Sequence, residues 1–419
     1  MSRRIHRTVF LWLALGAVFA TFRLDAQEAE MFLFLKGGSG SLAVDRVGLP
    51  VSIKGSHTMI VLARLNGKDK LHPFIFDTGG VTLLDQAIAR DYGLEVTDMG
   101  AETAITNLDR IDFSGVTVTD FRPFVMDFSS RFGTGAGEGK EQAPAGMVGC
   151  DLLRFFRITI DYRHDHIRLE RGTNPLTSEA ENCDLLPMQI RLPYHPCIDV
   201  TLWDSLRLPG LIDTGLHYAM VLPLARIRDL PEREKQRLIK SRGVFARWPW
   251  TDTDENYLYA VPEVRIGRFV FKDQPVLFAE LPPQMGDDVM LLGRYFLEGF
   301  ATTLDFRTRK VRLEQIPRQR RRSPAFSAGV HLVRQGKAVK IKAIWQGSPA
   351  DRAGLKPGQE ISAVNGRPAA EWGNGALTDM LLDCDIPRVS LILEKDGKKR
   401  SLTLKKVDLF AKTSGPFKS

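Results

Sequence analysis

Ile75-Phe76-Asp77-Thr78-Gly79 and Leu211-Ile212-Asp213-Thr214-Gly215 are two copies of one short phrase, 136 residues apart. A single Asp-Thr-Gly arises by chance in roughly one chain in ten of this length. The second copy matters because its surroundings repeat as well. Leu49-Pro50-Val51-Ser52-Ile53 is echoed by Leu186-Pro187-Met188-Gln189-Ile190, and His57-Thr58-Met59-Ile60-Val61 by His195-Pro196-Cys197-Ile198-Asp199. Downstream, Met147-Val148-Gly149 answers Leu291-Leu292-Gly293. Ile158-Thr159-Ile160-Asp161-Tyr162 answers Thr302-Thr303-Leu304-Asp305-Phe306, each followed by an Ile/Val-Arg-Leu-Glu run at 167–170 and 311–314. One duplicated unit, with extra residues before the second glycine landmark, accounts for every match.

Each unit reads as mostly strand. Short alternating runs such as Met59 to Leu65, Val116 to Val118 and Val264 to Phe271 are broken by turn residues at Asn66-Gly67, Gly267 and Pro275, the punctuation of an all-β fold. One helix is expected per unit, at Asp85 to Tyr92 closing on Gly93 and at Pro231 to Ser241 closing on Gly243, since glycine past the last turn ends helices. Residues 317–323 are basic, Pro-flanked and without apolar periodicity, and read as a linker to a third, unrelated unit.

The whole chain has 419 residues, 43% of them apolar and 26% charged, which fits two or three globular domains and excludes a disordered or low-complexity protein. Arg3, Arg4 and Arg7 precede a 14-residue apolar run from Val9 to Phe22, with Leu24-Asp25-Ala26 before Gln27. That is the order of a secretory signal peptide over residues 1–26, and the run is short for a membrane span of about 20 residues. Its removal, with four arginines and one aspartate, lowers the formal net charge from +8 to +5. No basic stripe with interleaved aromatics points to nucleic acid. The expected location is exported, periplasmic or extracellular, with no stable membrane span after cleavage. Export permits disulfides; Cys183 and Cys197 are the pair nearest in sequence, and Cys150 and Cys384 read as buried thiols.

Two apolar residues before each Asp would carry it from the buried end of a strand into a turn whose Gly lets backbone pass closely. A pseudo-twofold between the units would then bring Asp77 and Asp213 together. Two carboxyls about 3 Å apart cannot both ionise, so one keeps a proton while the other activates a water against a peptide carbonyl. Thr78 and Thr214 would hydrogen-bond the opposite turn, and Gly79 and Gly215 would offer N–H groups to the carboxylates.

On these residues the repeated unit, over roughly 42–316, resembles the retropepsin-like aspartic proteases, particularly the bacterial exported ones with two lobes in one chain. The resemblance implies a mainly β fold of two pseudo-symmetric lobes, 42–171 and 184–316, and endopeptidase activity on an extended peptide or unfolded protein. It implies neither metal nor cofactor, and activity as a monomer. A strand ending in two apolar residues and Gly crosses the Asp turn in that family, matching Gly149 and Gly293. Gly80 and Leu216 depart from its Ala, Ser or Thr after the Gly, which removes a polar hydrogen bond. The rival reading is a non-catalytic exported peptide-binding or scaffold protein using the same cleft. The family covers bound peptide with a hairpin flap, for which Met99 to Asp112 and Val244 to Tyr259, with Trp248, Trp250, Tyr257 and Tyr259, stand in position; the aromatics fit ordinary core packing equally. Gly133 to Gly139 reads as a loop.

Other repeated polar residues read as structural. Asp161 and Asp305 precede tight turns and suit capping. His57 and His195 lack the ligand spacing of a metal site, and His164 and His166 sit in a polar turn.

Residues 324–408 resemble a PDZ domain of the bacterial protease-associated kind. The carrying residues are Gly329-Val330, Gly347-Ser348-Pro349-Ala350, Ala353-Gly354-Leu355, Lys356-Pro357-Gly358, Ile361 and Val364-Asn365-Gly366, with a helix near Leu377 to Leu382 and a hairpin at Asp396-Gly397. Gln359 replaces the family's Asp. The resemblance implies capture of a protein C-terminus as an added strand, with Ala328, Gly329 and Val330 as the carboxylate loop; a purely structural cap is the alternative.

Overall fold

The computed structural model describes residues 37–51, 59–100, 103–128, 144–178, 180–191, 193–203, 205–246, 255–318, 322–335, 338–395 and 398–411. The proposed signal segment, His57, Trp248, Trp250, the 133–139 loop and the Asp396-Gly397 turn lie outside them. The chain is mainly β. Among the described residues no helix is long and apolar enough to cross a membrane.

The repeat is built into the hydrogen bonding. A six-stranded sheet runs in the order Cys183–Pro187, Lys310–Gln315, Phe300–Asp305, Arg157–Asp161, His166–Glu170, Arg46–Pro50, so it reads the same from either end in terms of repeat counterparts. At its middle Arg157–Asp161 pairs antiparallel with Phe300–Asp305, and Thr159 faces Thr303, its own counterpart. Their hydroxyls lie 3.0 Å apart. An antiparallel pair of identical elements centred on one residue is a local twofold axis, and it fixes how the halves face each other. Arg157, buried against Asp305 at 2.7 Å, closes one end of this pairing.

Above that sheet each half repeats a second arrangement. His72–Phe76 pairs parallel with Gly146–Val148, which pairs antiparallel with Leu83–Asp85. In the second half Leu206–Ile212 pairs parallel with Met290–Leu292, which pairs antiparallel with Met220–Pro223. Parallel strands need both faces covered, and Phe74, Phe76, Val148, Ile212 and Leu292 are all essentially inaccessible within one apolar core spanning both halves.

Each half then extends into a hairpin at the same topological place. The first hairpin is Val96–Gly100 with Thr103–Thr106, the second Ile239–Gly243 with Tyr257–Ile266. The first-half helix covers Gln86–Asp91: Asp85 caps it by accepting from Ala87 N at 2.8 Å, and Gly93 at φ +64° ends it. The second-half helix expected over Pro231 to Ser241 is corrected. Only Glu232–Lys235 is helical, and Ile239–Gly243 is a strand, because it is paired on both edges, by Tyr257–Ile266 and by Ala338–Trp345.

Residues from Phe326 onward have their own apolar core around Val330, Ile341, Leu377 and Leu391. Among the described strands, Val330–Gln335 pairs only with Ala338–Trp345, and helix Asn374–Leu382 lies beside it, Asn374 Oδ1 accepting from Arg334 N at 2.6 Å. None of the four cysteines is in a disulfide. Cys183 and Cys197 are not bridged, since they belong to different sheets; burial pushes the Cys197 thiol up to about 12.

Candidate active site

Each Asp leaves the end of a strand that is already tied to its neighbour. Asp77 N donates to Val148 O and Asp213 N to Leu292 O, both at 3.0 Å, so backbone on either side of the crossing strand holds the turns. The turns are then locked to one another. Thr78 Oγ1 donates to Ile212 O at 2.7 Å and accepts from Thr214 N at 3.2 Å, while Thr214 Oγ1 donates to Phe76 O at 3.2 Å and accepts from Thr78 N at 3.0 Å. Both threonines are buried. Four polar backbone groups that would be costly unpaired are thus satisfied across the axis.

Gly79 N donates to Asp77 Oδ1 at 2.8 Å and Gly215 N to Asp213 Oδ1 at 2.9 Å. Each carboxyl also lies over the other turn's glycine. A Cβ on Gly79 would fall 2.3 Å from Asp213 Cγ, and one on Gly215 would fall 2.4 Å from Asp77 Oδ2. A larger residue at either position would push the carboxyls apart. The two carboxyls thus stand against each other's turn, close enough for each to bear on the other's ionisation.

Burial raises both acids from the ordinary carboxylate range, and Asp213 goes well above it because the Asp77 charge adds to its burial. The Asp77 ion is favoured by N–H groups of Gly79, Gly80 and Gly215 and by the Asp213 hydrogen bond. Burial together with the neighbouring Asp77 charge thus favours the protonated form of Asp213. Asp77 is 9% and Asp213 5% exposed, so a narrow accessible face remains to both.

Gly149 and Gly293 sit where the crossing strand enters a short helix, Cys150–Leu153 or Arg294–Leu297. Gly149 N donates to Thr82 Oγ1 at 2.9 Å and Gly293 N to Ala219 O at 2.9 Å. The departures at Gly80 and Leu216 are made good by backbone: the Gly80 N–H favours the Asp77 ion, and Leu216 N donates to Asp213 Oδ1 at 3.0 Å.

Thr82 and Tyr218 each stand five residues after their Asp, yet no shared residue type marks them in the sequence. Thr82 N and Oγ1 both donate to Asp151 Oδ1 at 2.8 Å. Asp151 is fully buried, its Oδ2 has no partner among the described residues, and burial pushes it up to about 6. Tyr218 instead sends its hydroxyl to Phe245 O, at the second hairpin.

Asp161 Oδ1 accepts from Arg163 N and His164 N, and Asp305 Oδ1 from Arg307 N and Thr308 N, which is turn capping. Among the described residues no three His, Cys, Asp or Glu side chains gather as a metal site. Ala328, Gly329 and Val330 stand in the C-terminal module, outside the Asp turns. Gly329 N is bonded to Ser327 Oγ at 2.9 Å, and Ala328 and Val330 are buried.

No family model and no curated protein matches the chain. Among solved structures, basic 7S globulin from soybean is similar at 12% identity and TM-score 0.36, over 65% of this chain and 96% of that one. A likeness that low carries no argument, and the functional reading rests on the site.

Proposed function

We propose that this chain is an exported, bilobal aspartic endopeptidase of the retropepsin-like kind, active as a monomer, with a PDZ-like C-terminal domain that recruits substrates. The observation that carries the reading is the pair of repeat-related, buried carboxyls, Asp77 and Asp213, each set over the other's glycine. Two carboxyls that share one proton are the acid and base of peptide hydrolysis in aspartic proteases. Asp77, the ion, takes a proton from water as the oxygen bonds to the scissile carbonyl carbon. Asp213 gives its proton to the carbonyl oxygen, which would otherwise become an oxyanion. As the tetrahedral intermediate collapses, the C–N bond breaks, the proton now on Asp77 goes to the leaving nitrogen, and Asp213 recovers its own.

An extended peptide is the substrate this arrangement suits, with the hairpins as its proposed cover. The C-terminal domain is supported by its order of strand, glycine turn, strand and flanking helix, and by the outer edge of Val330–Gln335, which no described strand covers and onto which a peptide C-terminus would add.

The test is cleavage of a denatured protein mixture at acid to neutral pH by the wild type and by Asp77→Asn. Loss of about 10²–10⁴-fold in the variant is expected for a missing general base. Equal cleavage by both would remove the dyad; no cleavage by either, with peptide still bound, would favour the non-catalytic peptide-binding reading.

A further inference from the structure

The second hairpin does not end at the second half. The outer edge of Ile239–Gly243 pairs with Ala338–Trp345, matching Ser241 with Trp345, Arg242 with Ile344 and Gly243 with Ala343. Gln346 N donates to Lys240 O at 2.9 Å. A single sheet therefore runs from the Asp213 half into the C-terminal module. Gly243, at φ +79°, marks the closest approach: a Cβ there would fall 2.3 Å from Lys342 O.

Just past this strand Phe245 stacks on Trp345, ring centres 3.7 Å apart and planes within 6°, and lies 5.5 Å from the His331 ring at 16°. His331 Nδ1 is 3.3 Å from Val244 O. On the hairpin side, buried Asn256 accepts from Phe245 N at 2.7 Å and from Ala246 N at 3.0 Å. On the active-site side, the Tyr218 hydroxyl donates to Phe245 O. Tyr218 belongs to the Asp213 turn, whose Leu216 O and Ala219 O accept from Arg294 N and Gly293 N. Leu216, Tyr218, Phe245 and Trp345 share one apolar cluster.

A second tie runs behind the site. Arg322 is 2.5 Å from Glu298 and 2.9 Å from Asp379 on the module's helix Asn374–Leu382, and Glu298 also pairs with Arg294 at 2.9 Å. These groups are mostly buried, where an ion network is screened little by salt.

We infer that the C-terminal module is a working part of the active site: Trp345 and His331 are positioning residues that hold Phe245, and through Phe245 and Tyr218 they set the second hairpin and the Asp213 turn. The inference rests on the protease reading and goes beyond recruitment. A module that only delivered substrate would need a tether; a continuous sheet, a ring stack and a hydrogen bond into the Asp213 turn add nothing to delivery. They do remove freedom from a hairpin that the protease reading sets beside the peptide, and misplacement by about 1 Å far from the chemistry costs about 10²-fold in rate.

The test uses the full chain and an internally quenched octapeptide with an amidated C-terminus, which offers no carboxylate to the module and so does not read recruitment. Trp345→Ala is expected to lower kcat by about 10–100-fold with KM changed less, and Trp345→Phe, which keeps a stacking ring, to restore kcat to within about threefold of wild type. Amide exchange across 239–246 is expected to quicken in Trp345→Ala and Gly243→Ala. Should Trp345→Ala fail to fold, Phe245→Ala removes the same stack from a half-buried position. Unchanged kcat on the amidated peptide in a folded variant overturns the positioning role, and unchanged exchange overturns the contact behind it. Failure of the protease reading looks different: wild-type cleavage is then indifferent to Asp77→Asn, while exchange across 239–246 still decides whether the module holds the hairpin.

Discussion

The two halves are alike where they meet and unlike where they face outward. Both Asp turns hang from a parallel strand pair, both threonines reach across the axis, and both glycines admit the partner's carboxyl. Five residues on, the halves part: Thr82 turns inward to a buried carboxyl, Asp151, whereas Tyr218 turns outward to a hairpin. The hairpins differ in the same sense. Val96–Gly100 is the last strand of its sheet among the described residues, with Val96 and Met99 more than 40% exposed, while Ile239–Gly243 has a foreign strand along its outer edge. The proposed dyad would constrain the axis, because one proton between two acids needs matched surroundings. Nothing in that chemistry obliges the peripheries to match, and the second half has used its freedom to carry a third module.

Breaking the symmetry at the axis has the largest expected effect. Asp77→Asn and Asp213→Asn are each expected to lose about 10²–10⁴-fold in peptide hydrolysis, yet to differ in stability. Asp213, whose folded pKa is raised well above its ordinary value, stabilises fully only below the unfolded pKa near 4 and loses that contribution as pH rises towards the folded value. Asp213→Asn should therefore melt higher than wild type at about pH 7 and show less advantage at about pH 3. An equal or lower melting temperature at neutral pH would contradict the assignment of the proton to Asp213.

Next comes the lock between the turns. Thr78→Val leaves Thr214 N and Ile212 O buried without partners, at a cost of about 2–4 kcal/mol in chemical unfolding. Thr214→Val is expected to match it, since the bonds are reciprocal; a large difference would mean that the turns are held mainly from within each half.

The peripheries supply smaller tests. Asp151→Asn is expected to stabilise by about 1–3 kcal/mol at about pH 8, because a carboxyl raised to about 6 loses its contribution as pH climbs from about 4 through 6. The advantage should vanish at about pH 3.5. No counterpart acid exists in the second half, where Tyr295 takes the equivalent place.

His331, held near Val244 O and lowered to about 4 by burial, has the opposite sign of a salt-bridged histidine. Neutral in the folded state, it resists protonation, so the module–hairpin junction weakens as pH falls from about 6.5 towards 4. Amide exchange at 239–246 measured at about pH 7 and about pH 4.5 should show it, and His331→Phe should flatten the dependence. Smallest of all, Met99→Ser on the open hairpin is expected to change stability by less than about 0.5 kcal/mol while raising KM, the reverse of what the second hairpin predicts for Trp345→Ala.

Much of the site was legible from residues 75–79 and 211–215, because a dyad demands particular residue types at repeat-equivalent places and leaves a phrase that can be read twice. Thr82 and Tyr218 were recoverable by the same logic, as matching positions with unlike residues, but an unlike pair gives no repeated signal. The Pro231 to Ser241 segment failed for another reason. Its local pattern suits a helix that ends on Gly243, and pairing on both edges, by Tyr257–Ile266 and by a strand from far downstream, makes extended backbone the better choice, tertiary contacts overriding propensity. The cysteine pairing stayed open in the sequence for a related reason, since nearness along the chain says nothing about which sheet each joins.

From the sequence alone came the duplication, the two acids, the threonines and glycines around them, and the outline of a third unit. These depend on residue identity and spacing, which folding does not alter. How the two carboxyls are buried, which hairpin carries a foreign strand along its edge, and that the third unit is sheet-bonded to the second were decided only in three dimensions. Burial, hydrogen-bond partners and strand edges are set by residues far apart in the chain, and no local pattern records them.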